Sequence, residues 1–379
     1  MEQKIEKIKS SDYCVSIFDG THDSPKYQND GFPLVTSKCL LDSKIDSSTA
    51  SLISKKDYDL INKRSKVEQF DILISMIGIN AGIVGFISDK PTYAIKNVGV
   101  FRCKNFLDSK YLYYYLQSNF GKSLLKSSMA GSAQPYITLD KLRTLELMIP
   151  ISKEYQQHIV NTIGTIDDLI ENYQLQMLKI CDLLKKSLLY FEKKCTIDCY
   201  EPIIIKSGIF RFDNMKIYLD TSSVEGINNI SNGEIITFSK HPSRANMQPI
   251  ENSVWFAKMK SSNKVILITK YDTDLIDNYI LSTGFLGIKA TNKLPLSLLT
   301  AISITKDFNV QRDLNSVGTT MAGVNNETFM DIQVPKLSKD EIIIYDNKYN
   351  SFVPRLSYLR RQIKLLKDQK EKLLNKYFK

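Results

Sequence analysis

Ile159-Val-Asn-Thr-Ile163-Gly-Thr-Ile166-Asp-Asp-Leu-Ile170-Glu-Asn-Tyr173-Gln-Leu-Gln-Met177-Leu-Lys-Ile180-Cys-Asp-Leu-Leu184 puts an apolar residue at alternating steps of four and three. That spacing is the seam of a heptad repeat, and it continues through Leu188 and Phe191 with one late stutter. It predicts a helix from about Ser152 to Lys194. Pro150, Ser152 and Glu154 supply the proline, cap and first-turn acid that helix starts favour.

A second seam lies near the other end of the chain. Tyr349, Phe352, Leu356, Leu359, Ile363, Leu366, Lys370, Leu373 and Tyr377 step by three and four, with Lys370 the one polar member. Pro354 is expected to kink or restart this helix in its first third. Pro335-Lys-Leu-Ser-Lys-Asp340 opens it much as the first helix opens, and both runs close on Leu-Leu followed by aromatic and lysine residues. The chain therefore reads as unit, helix, unit, helix, with bounds 1–150, 151–195, 196–336 and 337–379. Both seams are far longer than the roughly 11–12 residues of a mean helix, so they are expected to pair with each other. The pairing is antiparallel if the units sit at opposite ends. The alternative is two amphipathic helices, each packed on its own unit.

Between the helices the pattern is α+β. Asp71-Ile-Leu-Ile-Ser-Met-Ile77 and Gly82-Ile-Val-Gly-Phe-Ile87 read as buried strands joined by a glycine-bearing turn, and Tyr111 to Ser118 reads as helix. In the second unit Lys264 to Thr269 and Leu286 to Lys289 read as strands, with a helix near Leu294 to Leu299.

The 379 residues are 43% apolar and 24% charged, which excludes global disorder, and 16 Gly with 11 Pro exclude a collagen-like or linker-dominated chain. A net charge of +10 permits a polyanionic partner without proving one. The opening Met1 to Ser10 lacks the apolar core of a signal peptide, and no apolar run reaches membrane length. Six cysteines without a Cys-x-x-Cys pair fit reduced thiols better than a zinc site. A cytoplasmic location is expected.

Catalytic signatures are missing from the sequence. Gly121-Lys-Ser123 lacks the upstream glycine of a phosphate-binding loop, because Leu116 stands there. Gly78, Gly82 and Gly85 suit a hairpin turn better than a dinucleotide fingerprint. No two prolines adjoin, so the Pro-Pro step of an amino-methyltransferase pocket cannot form. His22, His158 and His241 fall in three separate regions and read as loop or interface residues rather than bases or metal ligands.

Several local motifs then fall in order. They are Asp19-Gly-Thr-His-Asp-Ser-Pro-Lys26, Gly31-Phe-Pro-Leu-Val35, Asp71 to Ser75, Asn97-Val-Gly-Val100 and Gly131-Ser-Ala-Gln-Pro-Tyr-Ile137 in the first unit. Val254 to Lys260, Ile280 to Phe285 and Val317-Gly-Thr-Thr-Met-Ala-Gly-Val324 follow in the second. With the two-helix layout, they resemble the specificity subunit of type I restriction–modification enzymes over nearly the whole chain. Glu154-Tyr-Gln-Gln-His-Ile159 and Ile166-Asp167 match that family's helix opening, whereas Asp340 to Tyr345 departs from it by placing isoleucines where Gln is usual.

The resemblance implies a non-catalytic subunit with two target-recognition domains, pseudo-twofold related, separated by two long antiparallel coiled-coil helices. Each domain would read half of a split, asymmetric site in double-stranded DNA. The implied partners are two modification subunits that methylate adenine and restriction subunits that translocate and cleave. S-adenosylmethionine, ATP and Mg would belong to those partners, with no cofactor or metal in this chain. Candidate DNA contacts are Thr21, Lys26, Ser132, Gln134 and Tyr136 in the first unit. In the second they are Arg244, Lys258, Lys260, Lys289, Thr319 and Thr320. A coiled-coil scaffold carrying two protein-binding modules is the competing class. Salt-sensitive, sequence-specific DNA binding with a partner methyltransferase would separate the two.

Overall fold

The computed structural model describes residues 4–41, 43–131, 133–318 and 322–379. The chain is a mixture of α and β elements, as the strand and helix patterns required. Its backbone forms two compact units, 1–168 with 366–379 and 169–365, so the boundary of each unit falls inside the two long helices.

In the first unit an antiparallel pair, Ile5–Lys9 with Glu146–Pro150, brings the start of the unit to the root of the first long helix. The main sheet runs Ser16–Asp19, Val98–Arg102, Ile72–Ser75, Val84–Phe86, all antiparallel. Ile72–Ser75 is buried at every position, which explains its continuous apolar run. Helices Phe106–Gln117 and Asn119–Ser127 cover one face, capped by Asn105 and Ser118. Gly121 lies in the second of these helices, so it is no phosphate loop.

The second unit has the same internal order. Lys194–Thr196 pairs with Gln333–Pro335, and the main antiparallel sheet runs Ile203–Ile204, Phe285–Lys289, Ser253–Ala257, Val265–Ile268. Helices Leu296–Ser303 and Lys306–Leu314 occupy the place of the earlier helix pair in chain order.

The first long helix is Lys153–Ser187, ending seven residues before the expected Lys194. The chain must leave the helix there because Lys194 opens a strand. A 3-10 turn at Leu188–Tyr190 makes the exit, and the Ser187 hydroxyl is taken by Leu184 O and Tyr345 Oη. The second long helix is two helices, Lys339–Tyr349 and Phe352–Tyr377. Pro354 sits in the first turn after the break, where its missing N–H removes the bond that Asn350 O would have accepted.

Ile159, Ile163, Ile170, Leu184, Leu356, Leu359 and Ile363 are buried. Ile166, Tyr173, Met177, Ile180, Leu366, Leu373 and Tyr377 are half-buried. Within the first unit, His158 meets Tyr377 Oη at 3.2 Å and Asp167 meets Lys370 Nζ at 2.7 Å, so the two helical segments run in opposite directions. In the second unit Gln176 Oε1 accepts from Arg355 at 2.6 Å, and Ser187 meets Tyr345, again an antiparallel register.

The polar seam residue thus has a partner. Lys370 pairs with Asp167, whose other carboxylate oxygen accepts from Tyr114 Oη at 2.9 Å. Burial and the Asp167 charge push the Tyr114 phenol far up, so it remains a donor. Lys370→Ala, which strands the half-buried Asp167, is expected to cost about 1–3 kcal/mol. Lys370→Leu combined with Asp167→Asn should recover most of that loss. Urea unfolding of the three proteins checks this, and a double variant no better than the single one would refute it.

One isoleucine of the second helix opening, Ile342, also has a structural reason, whereas Ile343 and Ile344 are exposed. In the first unit Gln156 is buried and donates Nε2 to Pro150 O at 2.7 Å, holding the helix root to the strand end. In the second, Tyr200 Oη donates to Pro335 O at 2.6 Å and accepts from Leu337 N. With the strand-end carbonyl already satisfied, Ile342, four residues beyond the capping Ser338 as Gln156 is beyond Ser152, packs into the core instead.

Among the described residues, no helix is long and apolar enough to cross a membrane.

Candidate nucleic-acid interface

At one end of the first unit's main sheet, two loops lie side by side. The turn after Ser75 and the hairpin 130–136 are joined by Gly78 N to Pro135 O and Ile137 N to Met76 O, both 2.9 Å. Ala130 and Tyr136 exchange both backbone bonds, which closes the hairpin. Gly131 has φ +83°, and a Cβ there would strike Gln134 O at 2.6 Å, so this corner needs glycine.

Segments remote in sequence are tied to the same edge. Asn97 N donates to Thr21 O, Ser37 Oγ to Asn97 O, and Asn80 Nδ2 to Ser37 O. His22 bridges Asn97 Oδ1 at 2.8 Å and Asp19 Oδ2 at 2.9 Å, and Asp19 Oδ1 accepts from Arg64 at 3.3 Å. Lys96 Nζ reaches Ser24 Oγ at 2.6 Å.

The second unit builds an equivalent edge. Lys260 N donates to Ala322 O and Val324 N to Lys258 O, so the turn after Ala257 lies against the loop closed by Val317 and Gly323. Lys258 N donates to Gly284 O and Thr283 N to Arg244 O, which brings the Arg244 backbone to the same place. The turn is braced from behind. Ser261 N donates to both carboxylate oxygens of Asp313, and Asp313 is paired at 2.7 Å with Arg312, itself 1% exposed.

Arg244, Lys258 and Lys260 are therefore gathered at one edge. Arg244 and Lys260 are exposed, and Lys258 is half-buried, with burial lowering its ammonium pKa. Lys289 is not gathered. It pairs with Ser253, whereas Ala257, which leads into the turn, pairs with Phe285 at the other end of the same strand. Gln134 and Tyr136 are exposed on the first edge, and Lys26 is exposed just before the strand Tyr27–Gln28. Thr21 reaches the edge only through its backbone, its side chain being buried and turned to Asp23. Ser132, Thr319 and Thr320 lie outside the described residues.

Asn80, Asn97, Ser37 and His22 belong to the first edge although sequence reasoning did not single them out as contacts. The glycines Gly78 and Gly82 marked their turn; no local signal marked the long-range bonds. The two edges present amides, hydroxyls, lysines and arginine side chains beside turns fixed by backbone bonds. That inventory suits phosphate and base-edge contacts, and among the described residues of the two edges no nucleophile–base pair is formed.

Residues 20–179 match the family model of the type I restriction modification DNA specificity domain. The likeness to type I specificity subunits thus extends over most of the first unit and most of the first long helix, and the match does not reach the second unit's motifs. Among solved structures, the chain is similar to the S subunit of a type I restriction–modification system from M. genitalium. That likeness has 14% identity and a TM-score of 0.56, and covers 100% of this chain and 96% of that one. The HsdS subunit from Thermoanaerobacter tengcongensis is a further likeness, at 11% identity and TM-score 0.33, covering 99% of this chain and 96% of that one. No curated protein matches the chain.

Proposed function

We propose that this chain is the DNA-reading, non-catalytic subunit of a type I restriction–modification complex in the cytoplasm. Each unit is a target-recognition domain for half of a split, asymmetric site. The observation that carries the reading is the recurrence, in both units, of the same pair of hydrogen-bonded loops at the end of the same four-stranded sheet. The family match over residues 20–179 supports it independently. In this reading the two long helices form an antiparallel coiled coil that spaces the domains with pseudo-twofold symmetry. Two modification subunits would supply adenine methylation with S-adenosylmethionine, and restriction subunits would supply ATP- and Mg-dependent cleavage.

The test is co-expression with the cognate modification subunit and mapping of methylated adenines in host DNA. A two-part asymmetric motif is expected. Stoichiometric methylation or cleavage by the purified chain alone, or methylation at an unsplit motif, would overturn the reading.

The coiled coil then acts as a ruler. A matched heptad added near Met177 and near Ile363 should lengthen the helix pair by ~10.5 Å, or about 3 bp of spacer at ~3.4 Å per base pair. Both half-site sequences should persist with a longer unread spacer, at reduced activity because 3 bp also rotates the second half-site by roughly a third of a turn. Four residues added to one helix alone should disrupt the seam and assembly. An active heptad variant that reads different bases would sink the ruler.

A further inference from the structure

We propose that Ile79 reads the 5-methyl group of a thymine in the half-site taken by the first unit, an inference that rests on the DNA-reading function above. Ile79 is 98% exposed, so its side chain contributes nothing to the core. Yet the turn that carries it is fixed. Gly82 N bonds Ser75 O, Ala81 N bonds Gly78 O, Ile83 N bonds Asn80 O, and Gly78 N bonds the neighbouring hairpin. The sequence therefore holds a β-branched apolar side chain out in water on an ordered loop.

A single exposed isoleucine is unremarkable on a protein surface. Recurrence sets this one apart. Ile77 and Tyr136 beside it are 38% and 43% exposed, and at the equivalent edge of the second unit Met259 and Val317 are 42% and 52% exposed. Both edges thus hold apolar side chains within a polar and basic rim, which at the first edge includes Lys38 and Lys96, next in sequence to Ser37 and Asn97. A rim of that kind suits phosphates, and the apolar element needs an apolar feature between them. In the major groove of DNA that feature is the thymine methyl, present on no other standard base. The groove is about 12 Å wide and admits a structural element as large as a two-stranded ribbon.

The test uses the complex of the full chain with its cognate modification subunit and duplexes carrying the mapped site. Each thymine of the first unit's half-site is replaced in turn by uracil, which removes the methyl and nothing else. At one position the native complex is expected to lose roughly threefold to tenfold in affinity. Ile79→Ala should lose a similar factor on the thymine duplex and show no further loss on uracil, with an unchanged thermal transition. Ile79→Val should stay near native. A complex that reads its site but has no thymine whose uracil penalty disappears in Ile79→Ala overturns the inference and leaves the proposed function standing. Equal weakening of Ile79→Ala on all sequences, as for a wedge between base steps, also overturns it. A complex without sequence preference removes the proposed function itself.

Discussion

Arg360→Ala is expected to cost about 3–5 kcal/mol of the stability of the second unit, because it strands a buried carboxylate. The Asp272 side chain is fully inaccessible. Its Oδ1 accepts from Arg360 Nη2 at 2.5 Å, Ser357 Oγ at 2.6 Å and Arg361 Nη1 at 3.2 Å, while Oδ2 accepts from Thr269 N at 2.8 Å and Oγ1 at 2.7 Å. Arg360 also donates to Leu267 O and Asn228 Oδ1, tying the helix to the end of strand Val265–Ile268. The combined Arg360→Ala, Asp272→Ala protein should lose less than the sum of the single losses, since neither charge is then left alone.

The same cluster sets an acid dependence. Burial pushes the Asp272 carboxyl up, but the Arg360 charge and the bonds from Ser357 and Thr269 outweigh it and hold it below the usual carboxylate range. A depressed native pKa means that this stabilisation is complete above the unfolded value of about 4 and is lost as pH falls through the lower native value. Urea unfolding at a series of pH values should show that slope in the native protein and a shallower one in Asp272→Asn. Identical slopes would remove Asp272 from the account.

On the DNA side, the largest change is expected at the second edge. Lys258→Ala with Lys260→Ala should weaken binding by the complex and flatten the dependence of log K on log salt by up to about 2, close to 0.9 per phosphate contact. The deficit therefore shrinks as salt rises. Arg244→Ala should instead relax one base of the second half-site, at about 1–3 kcal/mol, if its guanidinium reads a guanine edge. Methylome sequencing separates the two behaviours. Relaxation confined to the half-site assigned to the first unit would mean that the units are reversed.

Much of the architecture could be read locally. Heptad spacing from Ile159 to Leu184 and from Leu356 to Tyr377 follows from helix geometry alone, and no residue of either seam is exposed. The buried run Ile72 to Ser75 and the glycine turn after it were legible for the same reason, since a strand's period and a turn's backbone demands are carried by neighbouring residues. Lys370 was legible as an interruption, although its partner Asp167 was not.

The candidate edges belong to the other category. Thr21, Ser37, Asn80 and Asn97 meet, and Gly78 meets Pro135, because strand register and loop closure bring together segments far apart in the chain, and no periodicity encodes such meetings. The same holds for Lys289, an exposed lysine at the end of a strand legible in the sequence, which strand direction carries to the far end of its sheet. By itself the sequence determined two α+β units, two long amphipathic seams and an ordered set of local motifs, all properties of residues near one another in the chain. Tertiary structure alone decided which loop tips adjoin, which lysines share an edge, and that Asp272 is buried against Arg360, because each depends on long-range backbone pairing and on burial.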